Sequence, residues 1–153
     1  IREGAFGIGS VQLHIAHNPE VTYFDLIHGG FNGLNELALF DILVNNADRK
    51  AGHCILDSGN KLWSIDHGLC FHSDFKVRTV MLDFWGSKID DKLITSLESL
   101  AEELSKDSKL NHELHLLISE DEIYSLLSRT KSVISETIIP ALNPYYNVPW
   151  PLI

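Results

Sequence analysis

Long apolar runs alternate with short polar clusters along this chain, and several of the runs have the periodicity of helices. Residues Leu34 to Val44 are almost continuously apolar and carry only Glu36 and Asp41 as charged residues. A run of this kind predicts the central buried helix of a domain, and it is too short to cross a membrane. The end of this helix sets the position of the polar loop that follows it.

Leucines recur every three or four residues after Asp90, which predicts two amphipathic helices. The leucines are Leu93, Leu97, Leu100 and Leu104 in the first helix and Leu110, Leu114 and Leu117 in the second. Ser119 and Glu122 have the spacing of a capping box, so a third helix is predicted to begin there and to end at Pro140. The tail NPYYNVPWPLI contains three prolines and is expected to lie extended against the body.

Strand-like segments are shorter and fewer. Cys54 to Leu56 and Leu62 to Ile65 flank a turn at Asp57 to Asn60, which predicts a β-hairpin. The glycines near the N-terminus predict a turn that leads into a strand at Val11 to Ile15, and the alternation at Lys76 to Val80 predicts an exposed strand. The chain is therefore expected to be a single α+β domain, mostly helical, with a small hairpin.

The predicted hairpin brings polar side chains to one edge of the domain. Asp48 lies at the mouth of its first strand and Asp66 at the end of its second, so the two carboxylates should converge. His53 and His67 lie beside them, and Arg49 is expected to brace the loop rather than touch a substrate. Because burying unpaired charge is costly, this group suits a divalent cation that carries phosphate better than it suits a core.

Three short motifs in this order carry a family resemblance. They are Gly9-Ser10-Val11-Gln12-Leu13, Asp48-Arg49 with His53 five positions after Asp48, and Asp66-His67-Gly68. Together they resemble the phosphatidylinositol 3-/4-kinase-like superfamily, particularly type II phosphatidylinositol 4-kinases and their small bacterial relatives. The resemblance implies that residues 1–153 form the C-terminal lobe of a protein-kinase-like fold, beginning at the hinge strand.

The resemblance implies roles for individual residues in an ATP-dependent phosphotransferase. Asp48 matches the catalytic aspartate, which orients the accepting hydroxyl and takes its proton, and Asp66 matches the aspartate that binds Mg²⁺. The metal-binding asparagine of the family is replaced by His53. Because imidazole is a poorer Mg²⁺ ligand than an amide oxygen, His53 should hold a second metal weakly, favour Mn²⁺ or act through water.

The nucleotide-binding residues follow from the same resemblance. Gln12 and Ile15 bound the hinge segment, whose backbone would hydrogen-bond adenine, and Ile65 would pack at the adenine. Structural roles, an edge strand for the hinge segment and a loop contact for His53, remain open for these residues.

The net charge and the cysteine content limit the classes of binding partner and the compartment that are expected. A net charge of -9 with 12 basic residues argues against nucleic acid and against an anionic lipid surface. Cys54 and Cys70 belong to no CxxC motif, which indicates a reduced, cytoplasmic chain. No apolar run approaches the length that spans a membrane, so no membrane span is expected. The phosphate acceptor stays undetermined among protein, lipid and small molecule.

Two other functions remain open. No lysine precedes Lys50, whereas kinase-like folds hold the nucleotide phosphates with a lysine ahead of the hinge. We therefore expect the N-terminal lobe to be absent from this chain, and the chain alone to transfer little phosphate. His53 and the missing lysine favour a nucleotide-binding pseudokinase as the first alternative. A metal-dependent hydrolase using Asp48, His53, Asp66 and His67 is the second, although no HxH or HExxH spacing supports it.

Overall fold

Five α-helices and two antiparallel hairpins make up the fold, which confirms the predicted α+β, mostly helical class. The computed structural model describes all residues from 1 to 153. The helices are α1 (Tyr23–His28), α2 (Leu34–Val44), α3 (Asp91–Ser105), α4 (Lys109–His115) and α5 (Glu120–Glu136). The strands are β1 (Arg2–Gly4), β2 (Gly7–Gly9), β3 (Cys54–Leu56) and β4 (Leu62–Ser64). None of the helices combines the length and the apolar character that spanning a bilayer requires.

Helix α2 is the central element of the core, and its predicted bounds are confirmed. It is buried around most of its circumference because apolar residues occupy nearly every position. Gly33 precedes it at a φ of 93°, a conformation that favours glycine, and Asn45 ends it in the left-handed region at a φ of 57°. The polar loop leaves from this left-handed turn.

Helices α3, α4 and α5 form the helical half of the core behind α2. The predicted capping box of α5 is present, because the Ser119 hydroxyl accepts from the Glu122 N–H and the Glu122 carboxylate accepts from Ser119. The predicted end of α5 at Pro140 is wrong: the helix ends at Glu136, and Thr137 turns the chain in the left-handed conformation. The second predicted helix also ends earlier than expected, so that Leu117 lies beyond α4 and is exposed.

The β3–β4 hairpin forms as predicted, with Cys54 opposite Ser64 and Leu56 opposite Leu62. Its second strand ends at Ser64, one residue earlier than expected. Asp57 organises the turn, because its carboxylate accepts from the N–H groups of Gly59 and Lys61 at 2.9 Å each and from the Trp63 indole at 2.8 Å. The hairpin lies directly after the polar loop and so forms one wall of the candidate site.

Two strand predictions are wrong. Val11 to Ile15 has no regular structure; the N-terminal glycines instead turn the short β1–β2 hairpin, and the segment after it finds no partner strand. Lys76 to Val80 is not an exposed strand, since Val77 and Val80 are buried and only Thr79 makes an isolated bridge, with Arg49. Residues Lys76 to Val80 instead form an irregular segment that packs against the polar loop, and the buried valines of this segment account for the alternation of apolar and polar residues.

Candidate functional site

A fully buried ion pair between Asp41 and Arg49 lies beneath the polar loop. The Arg49 guanidinium donates from Nε to one Asp41 oxygen at 2.8 Å and from Nη2 to the other at 2.9 Å, and neither side chain is exposed. Burial alone would lower the pKa of Arg49, but the hydrogen bonds and the charge of Asp41 raise the pKa above its ordinary value. Helix α2 thus provides a fixed anchor for the first residue after Asp48.

Arg49 also reaches the segment that follows the hairpin. Its Nη1 donates to the Ile65 carbonyl at 2.9 Å, and its Nη2 lies 3.0 Å from His67 Nε2. The expectation that Arg49 braces the loop is therefore confirmed. Because a guanidinium can only donate, His67 must accept at Nε2 and carry its proton on Nδ1. Burial and the nearby Arg49 charge lower the pKa of His67, so its ring is neutral at pH 7.

Two buried asparagines fix the rest of the loop. Asn46 donates to Asp41 at 3.0 Å and accepts from the Asp48 N–H at 3.1 Å. Asn45 donates to the carbonyls of His72 and Asp74 and accepts from the Lys76 N–H, all within 2.7 Å. The Asp48 loop is consequently held to segments on both sides of it.

Sequence reasoning overlooked Asp41, Asn45 and Asn46 as site residues. A signal was present: polar residues stand at and just beyond the C-terminal end of a helix that is otherwise apolar. Buried polar groups require partners, so a carboxylate on the most buried helix implied a buried cation. Nothing in the sequence alone identified that cation as Arg49.

The predicted metal ligands His53 and Asp66 lie side by side at the edge of the domain. The hairpin pattern predicts the convergence of Asp48 with Asp66, which stays a prediction. His53 Nε2 lies 3.5 Å from Asp66 Oδ2. The Asp66 side chain is 61% exposed, whereas that of His53 is 15% exposed. Asp66 adopts the left-handed conformation at a φ of 57°, which aspartate tolerates better than most residues other than glycine.

Asp48 belongs to the same edge. Its partly exposed carboxylate pairs with Lys50 at 3.6 Å, and the Lys50 N–H lies 3.5 Å from His53 Nδ1. Burial lowers the pKa of His53, and Arg49 and Lys50 act in the same direction, while the charges of Asp66 and Asp48 oppose them. His53 is thus neutral at pH 7, and because Nδ1 accepts from the Lys50 N–H, Nε2 carries the proton and faces Asp66. Binding of a metal at Nε2 therefore requires the other tautomer and the loss of the Lys50 contact.

The spacing of His53 and Asp66 suits two neighbouring ligands of one divalent ion. Two adjacent ligands of octahedral Mg²⁺ at about 2.1 Å stand about 3 Å apart, close to the observed separation. No group of three His, Cys, Asp or Glu side chains that could hold a metal occurs. Mg²⁺ at nucleotide sites takes one or two carboxylates and completes its shell with phosphates and water, and of this pair only Asp66 supplies a carboxylate.

The predicted nucleotide-binding residues do not form a compact group as His53 and Asp66 do. Gln12 is exposed, Ile15 is half-buried in irregular chain, and Ile65 is half-buried with its N–H donating to the His53 carbonyl at 3.1 Å. An open cleft of about 440 Å³ lies immediately after Ile15. Its lining residues are Ala16, His17, Asn18, Val21, Leu56, Asp57 and Ser58. The end of the predicted hinge therefore meets the end of β3, whereas Gln12 and Ile65 do not line this cleft.

The surface histidines and cysteines contribute no further site. His112 and His115 are exposed on α4, as expected for surface residues, and His112 pairs with Asp107. Cys54 and Cys70 are free thiols, and burial raises the pKa of Cys54 to about 12 and of Cys70 to about 11. Both thiols are therefore protonated and unreactive at pH 7.

The chain is similar to Protein Rv2133c of Mycobacterium tuberculosis. The alignment is 31% identical over 186 positions and includes 99% of this chain and 66% of that protein. The chain thus spans just under two thirds of the relative's length, and because the alignment is longer than the chain, the relative contains residues with no counterpart here. The relative's name describes no activity. No protein-family model matches the chain, and no solved structure matches it significantly.

Proposed function

We propose that this chain is the catalytic lobe of an ATP-dependent phosphotransferase of the phosphatidylinositol 3-/4-kinase-like kind. The observation that carries the proposal is the buried Asp41–Arg49 pair, which binds the loop of Asp48 to the segment of Asp66 through the Ile65 carbonyl. Phosphoryl transfer depends on positioning and electrostatics, so a catalytic carboxylate and a metal-binding carboxylate need such a rigid connection.

In this proposal Asp48 orients the acceptor hydroxyl and accepts its proton. Lys50 pairs with Asp48 Oδ2, which leaves Oδ1 available to a hydroxyl that approaches from solvent. The loop beneath Asp48 cannot relax easily, because its own N–H is bonded to Asn46 and the next residue is the buried Arg49. A fixed carboxylate of this kind lowers the entropy cost of aligning the acceptor.

Asp66 and His53 would hold Mg²⁺ with the ATP phosphates, and the ion would neutralise the charge that develops on the transferred group. Their side chains are already close enough to serve one ion. The left-handed Asp66 projects its carboxylate towards solvent, where a nucleotide can approach. We assign the adenine base of ATP to the cleft after Ile15, because this cleft is lined both by residues that follow the hinge segment and by residues of the hairpin.

The acceptor is a hydroxyl group on a protein, a lipid or a small molecule. The net charge of -9 disfavours an anionic membrane surface as the place of reaction, since like charges repel at short range. A neutral or cationic acceptor surface fits this charge better.

The decisive experiment measures Mg·ATP binding and phosphate transfer by the full-length protein and its variants. Asp48→Asn should lower transfer by about a hundredfold or more while leaving Mg·ATP affinity unchanged, because a general base acts on the acceptor. Asp66→Asn should weaken Mg·ATP binding itself. Asp74→Asn is the matched control, because the Asp74 side chain is 80% exposed and pairs only with His72, while the backbone carbonyl that accepts from Asn45 is kept. A full-length protein that neither binds nor turns over Mg·ATP would refute the proposal.

A nucleotide-binding pseudokinase is the second candidate, and His53 favours it. The imidazole replaces the amide of the kinases that this chain resembles, and its Nε2 is already engaged with Asp66 at 3.5 Å. A pseudokinase would bind Mg·ATP, transfer no phosphate and be indifferent to Asp48→Asn. If His53→Asn created or raised Mg²⁺-dependent transfer, the histidine would be the feature that limits catalysis. His115→Asn, at an exposed position of α4, is the control.

A further inference from the structure

The C-terminal tail, residues 143–153, is bonded to the loop of Asp48 by two routes. In the first route, Asn147 binds the segment 77–79: its side-chain amide donates to the Val77 carbonyl at 2.7 Å, and its carbonyl accepts from the Thr79 N–H at 2.9 Å. Asn147 is itself fixed by Asn143, whose N–H donates to Asn147 Oδ1 at 3.1 Å and whose carbonyl accepts from the Asn147 N–H at 2.8 Å.

The segment that Asn147 holds is the one that lies against the Asp48 loop. The Arg49 N–H donates to the Arg78 carbonyl at 2.9 Å, and the Arg49 carbonyl accepts from the Val80 N–H at 3.1 Å. The Arg78 N–H donates to the Asn46 carbonyl at 3.0 Å. Backbone bonds on both sides of Asp48 therefore depend on a segment that the tail keeps in place.

The second route is direct. The Ala51 N–H donates to the Leu152 carbonyl at 2.8 Å, and Ala51 is fully buried three residues after Asp48. Pro149 is buried between the two points of attachment. The tail thus runs across the loop of Asp48, from the segment 77–79 to the turn that carries His53.

The tail is too exposed to act mainly as a part of the hydrophobic core. Its large side chains mostly face solvent: Tyr145, Tyr146, Trp150 and Ile153 are all exposed. Apolar burial is the main source of stability for a packed segment, so a segment that buries so little contributes chiefly through its hydrogen bonds. Those bonds go to the Asp48 loop and to the segment beside it.

We infer that the tail is a positioning element of the catalytic loop and that it acts through the hydrogen bonds of Asn147 and of the Leu152 carbonyl. This inference rests on the proposed function for its effect on catalysis. The tail touches neither nucleotide nor acceptor in this role; it holds the backbone that aims the Asp48 carboxylate. Small displacements of a catalytic group cost large factors in rate, whereas the affinity for ATP depends on other residues.

The test deletes Pro151–Ile153 from the full-length protein and, separately, replaces Asn147→Ala. The deletion removes the Leu152 carbonyl and keeps the buried Pro149. The substitution removes the side-chain bonds of Asn147 to the Val77 carbonyl and to the Asn143 N–H, and leaves its backbone bonds to Thr79 and Asn143 in place. We expect kcat to fall roughly ten- to a hundredfold in each variant, with the KM for ATP changed by less than about twofold. Amide hydrogen exchange should speed up at Ala51 in the deletion and at Thr79 in the substitution, but not in α2. Tyr145→Ala is the control, because Tyr145 is 91% exposed and its side chain makes no hydrogen bond.

Three results would overturn the inference. The Ala51 amide could keep its protection after the deletion, kcat could stay unchanged although protection is lost, or exchange in α2 could rise in parallel, which would make the tail a general stabilising segment. If the unmodified protein transfers no phosphate, the proposed function fails. The exchange measurement still decides, in that case, whether the tail orders the Asp48 loop.

Discussion

Arg49 is the residue on which the geometry of the site depends. It joins the buried helix α2, the loop of Asp48 and the segment of Asp66 with one guanidinium, and its five donors match this task. A lysine has a single point of attachment and could not make the bidentate contact with Asp41 while also reaching Ile65.

We predict that Arg49→Met destabilises the fold by about 3–5 kcal/mol, because Asp41 is then left buried without its cation. The double variant with Asp41→Leu should recover most of that loss, since both charges are gone. Urea unfolding followed by circular dichroism gives the free energies. Lys88→Met is the control: its pair with Asp91 is exposed and contributes close to nothing. A loss at Arg49 as small as the loss at Lys88 would contradict the anchoring role.

A pH dependence follows from the two histidines of the site. The pKa of His67 is lowered by burial first and by Arg49 second, and the pKa of His53 is lowered in the same way against the opposing charge of Asp66. A histidine in the unfolded chain has a pKa of about 6.5. Between that pH and the lower pKa of the folded state, the unfolded chain therefore binds more protons than the folded chain does. Stability therefore rises with pH in this window and is lost as pH falls through it.

The measurement is the free energy of unfolding at about pH 7.5 and about pH 5.5, above the range where carboxylates titrate. We expect it to be lower at the acid value, and the difference to be smaller in His67→Gln, which can still accept from Arg49. His28→Gln, at the exposed residue that ends α1, is the control. An unchanged difference in His67→Gln would show that protonation of His67 does not oppose folding.

The partners of single polar residues could not be predicted from the sequence. Arg49 was expected to brace the loop, but its partner could not be named, because Asp41 lies eight positions away on a helix that sequence marks only as apolar. Asn45 and Asn46 resemble ordinary turn residues until their five hydrogen bonds are seen. Long-range pairing of polar groups carries no local sequence signal.

At the scale of elements, the strongest local patterns were predicted well. The bounds of α2, the β3–β4 hairpin and the capping box of α5 all follow from apolar runs and turn residues. The failures occurred where a pattern needed a partner: Val11 to Ile15 alternates like a strand but has no neighbouring strand to bond with. Alternation alone does not make a strand.

The capping box of α5 offers a test at this scale. Ser119→Ala removes the acceptor for the Glu122 N–H at the start of the helix that packs against α3, so we expect a loss of about 0.5–2 kcal/mol in the free energy of unfolding. Ser128→Ala, on the exposed face of the same helix, should be neutral or slightly stabilising, because alanine has the higher helix propensity. Equal effects of the two substitutions would mean that the cap contributes nothing.

Across the whole molecule, the site lies where four separated parts of the chain meet: the end of α2, the hairpin, the segment 77–80 and the C-terminal tail. The sequence predicted the meeting of the first two, because they adjoin along the chain. It predicted that the tail would lie extended against the body. The bonds of Asn147 and Leu152 confirm the contact, but the extended conformation is wrong for residues 143–147, which form a turn. It could not predict that the tail would meet the loop of Asp48, since that contact depends on how α3, α4 and α5 return the chain.

The β1–β2 hairpin stands apart from this arrangement, and its contribution to stability can be measured. Every residue from 1 to 9 is exposed, including Phe6 and Ile8, so the hairpin buries little apolar surface against the domain. Since stability scales with apolar area removed from water, deleting residues 1–9 should change the free energy of unfolding by less than about 0.5 kcal/mol. Leu39→Ala in α2, where the side chain is buried, should instead cost about 2–5 kcal/mol. Urea unfolding of the 153-residue chain and both variants compares the two, and a loss from the deletion that approached the loss from Leu39→Ala would mean that the hairpin packs on the domain in solution.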